Sequence, residues 1–184
     1  MLTAVIFFIG GMVWASMRYQ ETSLDLPIEP TNTIERYDRV EKQYYYASIR
    51  NTDEAYKCIE KYFPPQDSPK NNYYTLLAHQ RLGDLYLTGG DFELAEFYYL
   101  ELFYLGPEEQ HFRGFGLAGL ANIYHRQEDT KKVVQVLVSL SDIIDQIDLK
   151  VRMEIIARLE EDLRKPFEEQ LDLSINRRSS LNLQ

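Results

Sequence analysis

The chain has 184 residues, 45% of them hydrophobic and 13% aromatic, with one Cys and a formal charge of −9. That length suits one compact domain with small extras, and that apolar fraction excludes a wholly disordered chain. One Cys excludes an internal disulfide or a cysteine-built zinc site, and the acidic balance argues against nucleic acid, whose binders carry basic patches.

The run from Leu2 to Met17 contains no charged residue, and the first charge is Arg18. As a helix it is roughly 24 Å long, somewhat short of a ~30 Å hydrocarbon core. Met1 extends it, and Trp14, Arg18 and Tyr19 suit the interface at one end. Residues 1–17 are therefore read as a single-pass transmembrane anchor whose partner is the lipid bilayer. The alternative is a signal peptide cleaved after Val13-Trp14-Ala15, which would make a soluble periplasmic or secreted repeat protein. Against it, no Lys or Arg precedes the apolar run, as a signal peptide requires. A buried core helix is a third reading, but such helices keep a polar face. Arg18, Arg36, Arg39 and Lys42 follow the run, so the positive-inside bias leans toward a cytoplasmic soluble part.

Residues 18–32 carry Pro27 and Pro30 and no helical period, and read as an extended spacer. From Thr33 onward, helical spacing alternates with short turns, and no stretch alternates apolar and polar long enough for a sheet. The soluble part is predicted to be all-α.

Three segments share one register. Tyr46, Tyr86 and Tyr124 each stand five residues before Asn51, Asp91 and Asp129. A small or slim residue follows each Tyr nine positions on (Ala55, Ala95, Val133), and a bulky one thirteen on (Ile59, Tyr99, Leu137). The Tyr residues are 40 and then 38 positions apart. Physically this fits helix–turn–helix pairs: the Tyr closes the first helix and the Asn or Asp caps the second. Asn51 with Glu54 has capping-box spacing. The small residue lets the two helices approach, and the bulky one fills the space a turn later.

The middle copy carries Leu82-Gly83, Tyr86, Gly90-Asp91, Ala95, Tyr99 and Pro107. On these residues the chain resembles the tetratricopeptide-repeat family. The first copy has Lys42-Gln43 in place of Leu-Gly, and the third has Leu120-Ala121 and Val133. The resemblance covers about residues 33–147, with insertions at 63–72 and near 108–112. It implies a short α-solenoid of about three helix pairs over 33–164, preceded by the transmembrane helix. Asp148 to Arg164, with its stripe Val151, Ile155, Leu159, Leu163, is read as a C-terminal capping helix. Pro166 breaks or restarts the chain, and 165–184 reads as a polar tail: a loose end, with a segment that docks on a partner or an ordered extension of the cap as alternatives.

The resemblance further implies a protein partner held in a groove lined by the first helix of each pair. Carried over position by position, the groove contains Tyr37, Val40, Tyr44, Ala47 and Ser48, then Leu77, Gln80, Asp84, Leu87 and Thr88. The third copy supplies Phe115, Ala118, Asn122, His125 and Arg126. The family's grip on a C-terminal carboxylate is not implied, because Ala118 stands where a Lys is needed. Together these readings describe a membrane-tethered adaptor or scaffold, a subunit or assembly factor of a membrane complex.

No chemistry emerges. Gly114-Phe115-Gly116-Leu117-Ala118-Gly119 spells a dinucleotide-binding motif, but no strand precedes it, so close helix packing is the better reading. His79, His111 and His125 lack metal-ligand spacing, and Cys58 is read as a buried small apolar residue. Glu160-Glu161-Asp162 reads as a solvated face. No cofactor, metal or enzymatic activity is expected.

Overall fold

The computed structural model describes residues 34–181, with side chains described through Ile175. The anchor and spacer read at 1–17 and 18–32 lie outside the described residues. The described residues are helical, with no strand among them: α1 (Val40–Arg50), α2 (Asp53–Tyr62), α3 (Pro69–Gly89), α4 (Phe92–Phe103), α5 (Gln110–Arg126), α6 (Thr130–Ile143), α7 (Leu149–Arg158) and α8 (Glu161–Leu181). None of these helices is long and apolar enough to cross a membrane.

Three tight turns follow one plan. A residue in left-handed backbone reverses the chain, and the next residue caps the following helix. The reversing residues are Asn51 (φ 51°), Gly90 (φ 80°) and Glu128 (φ 60°). The caps are Thr52, Asp91 and Asp129, which accept from the backbone N–H groups of Ala55, Leu94 and Lys132 at 3.4, 3.1 and 3.1 Å. The first turn differs from expectation: Thr52, not Asn51, caps α2. Asn suits both tasks, because its short polar side chain tolerates left-handed backbone as well as capping. Asn51 reverses the chain here, so the capping box with Glu54 does not form. The buried register nevertheless holds, since Ala55, Ala95 and Val133 are buried, as are Ile59, Tyr99 and Leu137.

The repeated Tyr residues join successive pairs. The Tyr86 hydroxyl donates to Asp53 Oδ2 on α2 at 2.8 Å, and the Tyr124 hydroxyl donates to Glu96 Oε1 on α4 at 2.5 Å. Burial first, and then the Glu96 carboxylate, push the Tyr124 hydroxyl above its ordinary value, so it remains the donor. Tyr46 makes a local bond instead, its hydroxyl accepting from Arg50 Nε at 3.1 Å. Within α1, the fully buried Gln43 reaches back to the segment before the helix, accepting from the Tyr37 N–H at 2.9 Å and donating to the Glu35 carbonyl at 3.2 Å. This residue, a departure from the Leu-Gly pattern, ties down the entering chain.

Each helix packs on the next as far as α6, and also on the next but one: α1 on α3, α3 on α5, α5 on α7 and α6 on α8. Two apolar cores result. One gathers Val40, Tyr56, Ile59, Ala78 and Leu82; the other runs from Leu76 and Tyr99 through Leu120 and Leu137 to Phe167. Helix α3 supplies both. The glycines of α5 set the close approaches. A Cβ at Gly116 would lie 2.6 Å from the Tyr99 carbonyl oxygen and 2.9 Å from the Phe103 nitrogen. One at Gly114 would meet Ile155, and one at Gly119 would meet the Tyr99 ring. The Gly114–Gly119 stretch is thus a helix-packing surface, as its lack of a preceding strand suggests.

The expected cap helix over 148–164 is two helices. It breaks after Arg158, where Leu159 is extended. Ile155, Leu159 and Leu163 are buried and Val151 is partly buried, so the apolar stripe faces the core while the continuity of the helix is lost. The tail is an ordered extension of the cap rather than a loose end. Helix α8 runs on through Pro166 to Leu181, anchored by the fully buried Phe167. Pro166 lies in the second turn of α8 and has no N–H to give the Asp162 carbonyl.

Two outcomes follow for stability. Gly116→Ala drives a methyl into α4 backbone and is expected to cost about 1–3 kcal/mol. Gly89→Ala, with nothing within 4 Å of the added carbon, should gain about 0.5–1 kcal/mol; urea unfolding of both variants compares them. Lys57, followed by other hydrogen-bond donors including Tyr86, holds the Asp53 carboxyl well below its usual 3.8. A lowered native pKa contributes stability that is complete above 3.8 and declines below it. The gap in urea midpoint between the parent and Asp53→Asn should therefore stay level at neutral pH and close in acid.

Candidate functional site

Asp84 on α3, Tyr99 on α4, and Asn122 and Arg126 on α5 converge on one polar cavity of about 260 Å³. Its remaining wall is the elbow between α7 and α8, which contributes Arg158 and Glu160. The elbow is held by Asn122. Its Nδ2 donates to the Arg158 carbonyl at 2.8 Å and its Oδ1 accepts from the Glu160 N–H at 3.0 Å. One side-chain amide thus satisfies a carbonyl and an N–H left by the break in the chain.

Charges close the latch from both sides. Arg158 Nη1 donates to both oxygens of Asp84, at 2.6 and 2.9 Å, and its guanidinium lies 5.0 Å from the centre of the Phe115 ring. Arg126 donates through Nε to Glu160 Oε1 at 2.6 Å and through Nη1 to the Leu87 carbonyl at 3.1 Å. Each arginine is matched by a carboxylate, so the cavity carries no net formal charge from these groups. The Tyr99 hydroxyl donates to Asp84 Oδ1 at 2.9 Å. Burial first, then the Asp84 charge, push that hydroxyl above its ordinary value and keep it protonated.

Of the expected groove residues, Asp84, Leu87, Asn122 and Arg126 are therefore brought together, but around the chain's own elbow. Phe115 is buried beneath Arg158, and Gln80 is buried too. Leu77 packs partly buried against the larger core. Tyr44 lies apart, with ring centres 6.1 Å from Tyr56 and 5.4 Å from Tyr74. Tyr37 sits before α1, its ring 5.3 Å from that of Tyr46. His125 is half-exposed, with Nε2 3.7 Å from Glu160 and 3.9 Å from Asp162. Glu160 is a latch residue rather than part of a solvated face, and Cys58 is only partly buried.

Arg158 and Glu160 carry no groove signal in the sequence. Arg158 and Asp84 are 74 positions apart, so no local pattern could pair them. No group of three or more His, Cys, Asp or Glu among the described residues is arranged to hold a metal ion. Comparison with family models, curated proteins and solved structures returns no match.

Asn122→Ala leaves a backbone carbonyl and N–H without their partners and should cost about 1–3 kcal/mol. Hydrogen exchange followed by mass spectrometry is expected to show faster exchange in α7 and α8 before α3 and α4.

Proposed function

We propose that this protein is a membrane-tethered adaptor built on tetratricopeptide-like helix pairs, a short α-solenoid held at a bilayer by residues 1–17. The observation that carries the reading is the repeated unit. Three successive pairs share the reversing residue, the cap, and the buried small and bulky positions. Stacked pairs of this kind present long surfaces formed by several elements, which suits holding a protein rather than enclosing a small substrate. The network around Asp84 and Arg158 is an ion-paired latch with a packing role. The α7–α8 segment closes the end of the stack, in the place assigned to a capping helix.

The tether gives the adaptor its purpose. Confining the domain to a membrane raises its effective concentration beside membrane partners without any new contact. The reading is thus a scaffold or assembly factor of a membrane complex, with the repeat domain leaning to the cytoplasmic side on the Arg18 and Lys42 bias.

Carbonate extraction tests the tether. The full chain should remain in the membrane pellet, and a chain lacking residues 1–17 should move to the supernatant with an unchanged helical circular dichroism spectrum per residue of the repeat domain. If the chain expressed whole is instead recovered in the supernatant starting at Ser16, a cleaved signal replaces the tether. Crosslinking in native membranes should then yield a discrete protein adduct that the untethered chain forms less.

A further inference from the structure

The latch leaves a second cavity open. About 240 Å³ in volume, it lies between the N-terminal halves of α6 and α8, with His125 at its border. Its wall is apolar: Val133, Leu137, Leu163 and Pro166 line it, and Val134, 45% exposed, forms its lip. That volume is below the roughly 300–1,000 Å³ of small-molecule pockets and fits one large apolar side chain.

The rim has one sign. Glu128 and Asp162 are the carboxylates among the lining residues, and no Lys or Arg lines the cavity. Among the described residues neither acid has a Lys or Arg within salt-bridge distance, and Asp162 is 3.9 Å from His125. Two backbone features set this rim apart. Glu128 occupies the left-handed position that Asn51 and Gly90 fill in the other turns, a conformation in which a Glu side chain is strained. Pro166 has no N–H to offer the Asp162 carbonyl, so that acceptor lacks its ordinary helical donor.

We propose that this cavity receives an apolar anchor residue of a basic partner segment, a Phe or Leu flanked by Lys or Arg. The anchor fills the space over Val133, Leu137 and Leu163. The flanking cations face Glu128 and Asp162, and a donor from the segment can serve the Asp162 carbonyl. A buried anchor within a polar rim is the arrangement that concentrates binding energy at protein interfaces. The same acids repel acidic segments and anionic lipid. The inference rests on the adaptor reading only in taking the ligand to be a protein segment.

The test uses the full chain in neutral detergent and three labelled peptides, followed by fluorescence anisotropy. These are Lys-Lys-Phe-Lys-Lys, its Glu-flanked counterpart, and the Lys-flanked peptide with Ser in place of Phe. Each is extended equally with Gly and Ser. The first should bind, and the other two should bind about tenfold or more weakly. Val134→Lys, at an exposed site, should weaken the first peptide by a similar factor. Its affinity should also fall as salt shortens the Debye length from ~30 Å to ~8 Å. Glu128→Lys with Asp162→Lys should reverse the preference between Lys and Glu flanks, with circular dichroism confirming the fold. Absence of binding, equal binding of all three peptides, or binding unaffected by both variants would overturn the proposal. Native-membrane crosslinking separates it from the adaptor reading. An adduct that persists undiminished in Val134→Lys counts against the cavity alone, whereas peptide binding without any adduct counts against the adaptor alone.

Discussion

The position of the Tyr99 ring governs the assembly of the three central helices. It occupies the space that side chains at Gly83 on α3 and Gly119 on α5 would take. The ring touches both neighbours because both are glycines. Truncating a buried aromatic of this kind typically costs about 3–5 kcal/mol. A glycine in a helix interior costs about 1 kcal/mol relative to Ala, so the ring outweighs the penalty of the two glycines beside it. The hydroxyl ends on Asp84, which spares the core an unsatisfied donor.

Packing and charge are continuous from that point. Asp84 accepts from Tyr99 and from Arg158, so the ring that fixes α3, α4 and α5 also fixes the carboxylate that draws in the α7–α8 elbow. Asn122 then holds the elbow backbone, and Arg126 its Glu160. Further along, Tyr86 and Tyr124 bond back to acids on the preceding pair, so each pair is tied to its neighbour by a directional bond as well as by apolar contact. Apolar burial sets how closely the pairs sit, while these bonds fix their register, because burial is non-directional.

For the function we propose, this division matters. The expected groove residues around Asp84 are taken up by the chain's own terminal segment, so in the proposed function recognition falls to surfaces the latch does not use. The cavity between α6 and α8 is such a surface, where an apolar wall meets carboxylates that, among the described residues, have no Lys or Arg within salt-bridge distance. The strained Glu128 and the early Pro166 both border it, so two departures from local backbone preference fall at one place. Such departures tend to collect at functional sites.

The sequence by itself determined the helical class, the three-copy register and the burial of its small and bulky positions, because each follows from spacing along a single helix. Ala55, Ala95 and Val133 are buried as the spacing requires, and so is the stripe Ile155, Leu159, Leu163. The glycines of α5 were also legible as packing residues, since a phosphate loop needs a strand that is not there. Choices between near-equal local options were not legible: whether Asn51 or Thr52 caps α2, and whether 148–164 is one helix or two. Tertiary structure decided those, and it decided the use of the groove residues. Asn122 was visible as a polar residue on an inner face, but its partners, the Arg158 carbonyl and the Glu160 N–H, lie 36 and 38 positions away. The pairing of Asp84 with Arg158 is more remote still, across 74 positions. Periodicity reports which face of a helix is apolar, whereas bonds between distant polar groups depend on which faces the packed chain brings into register.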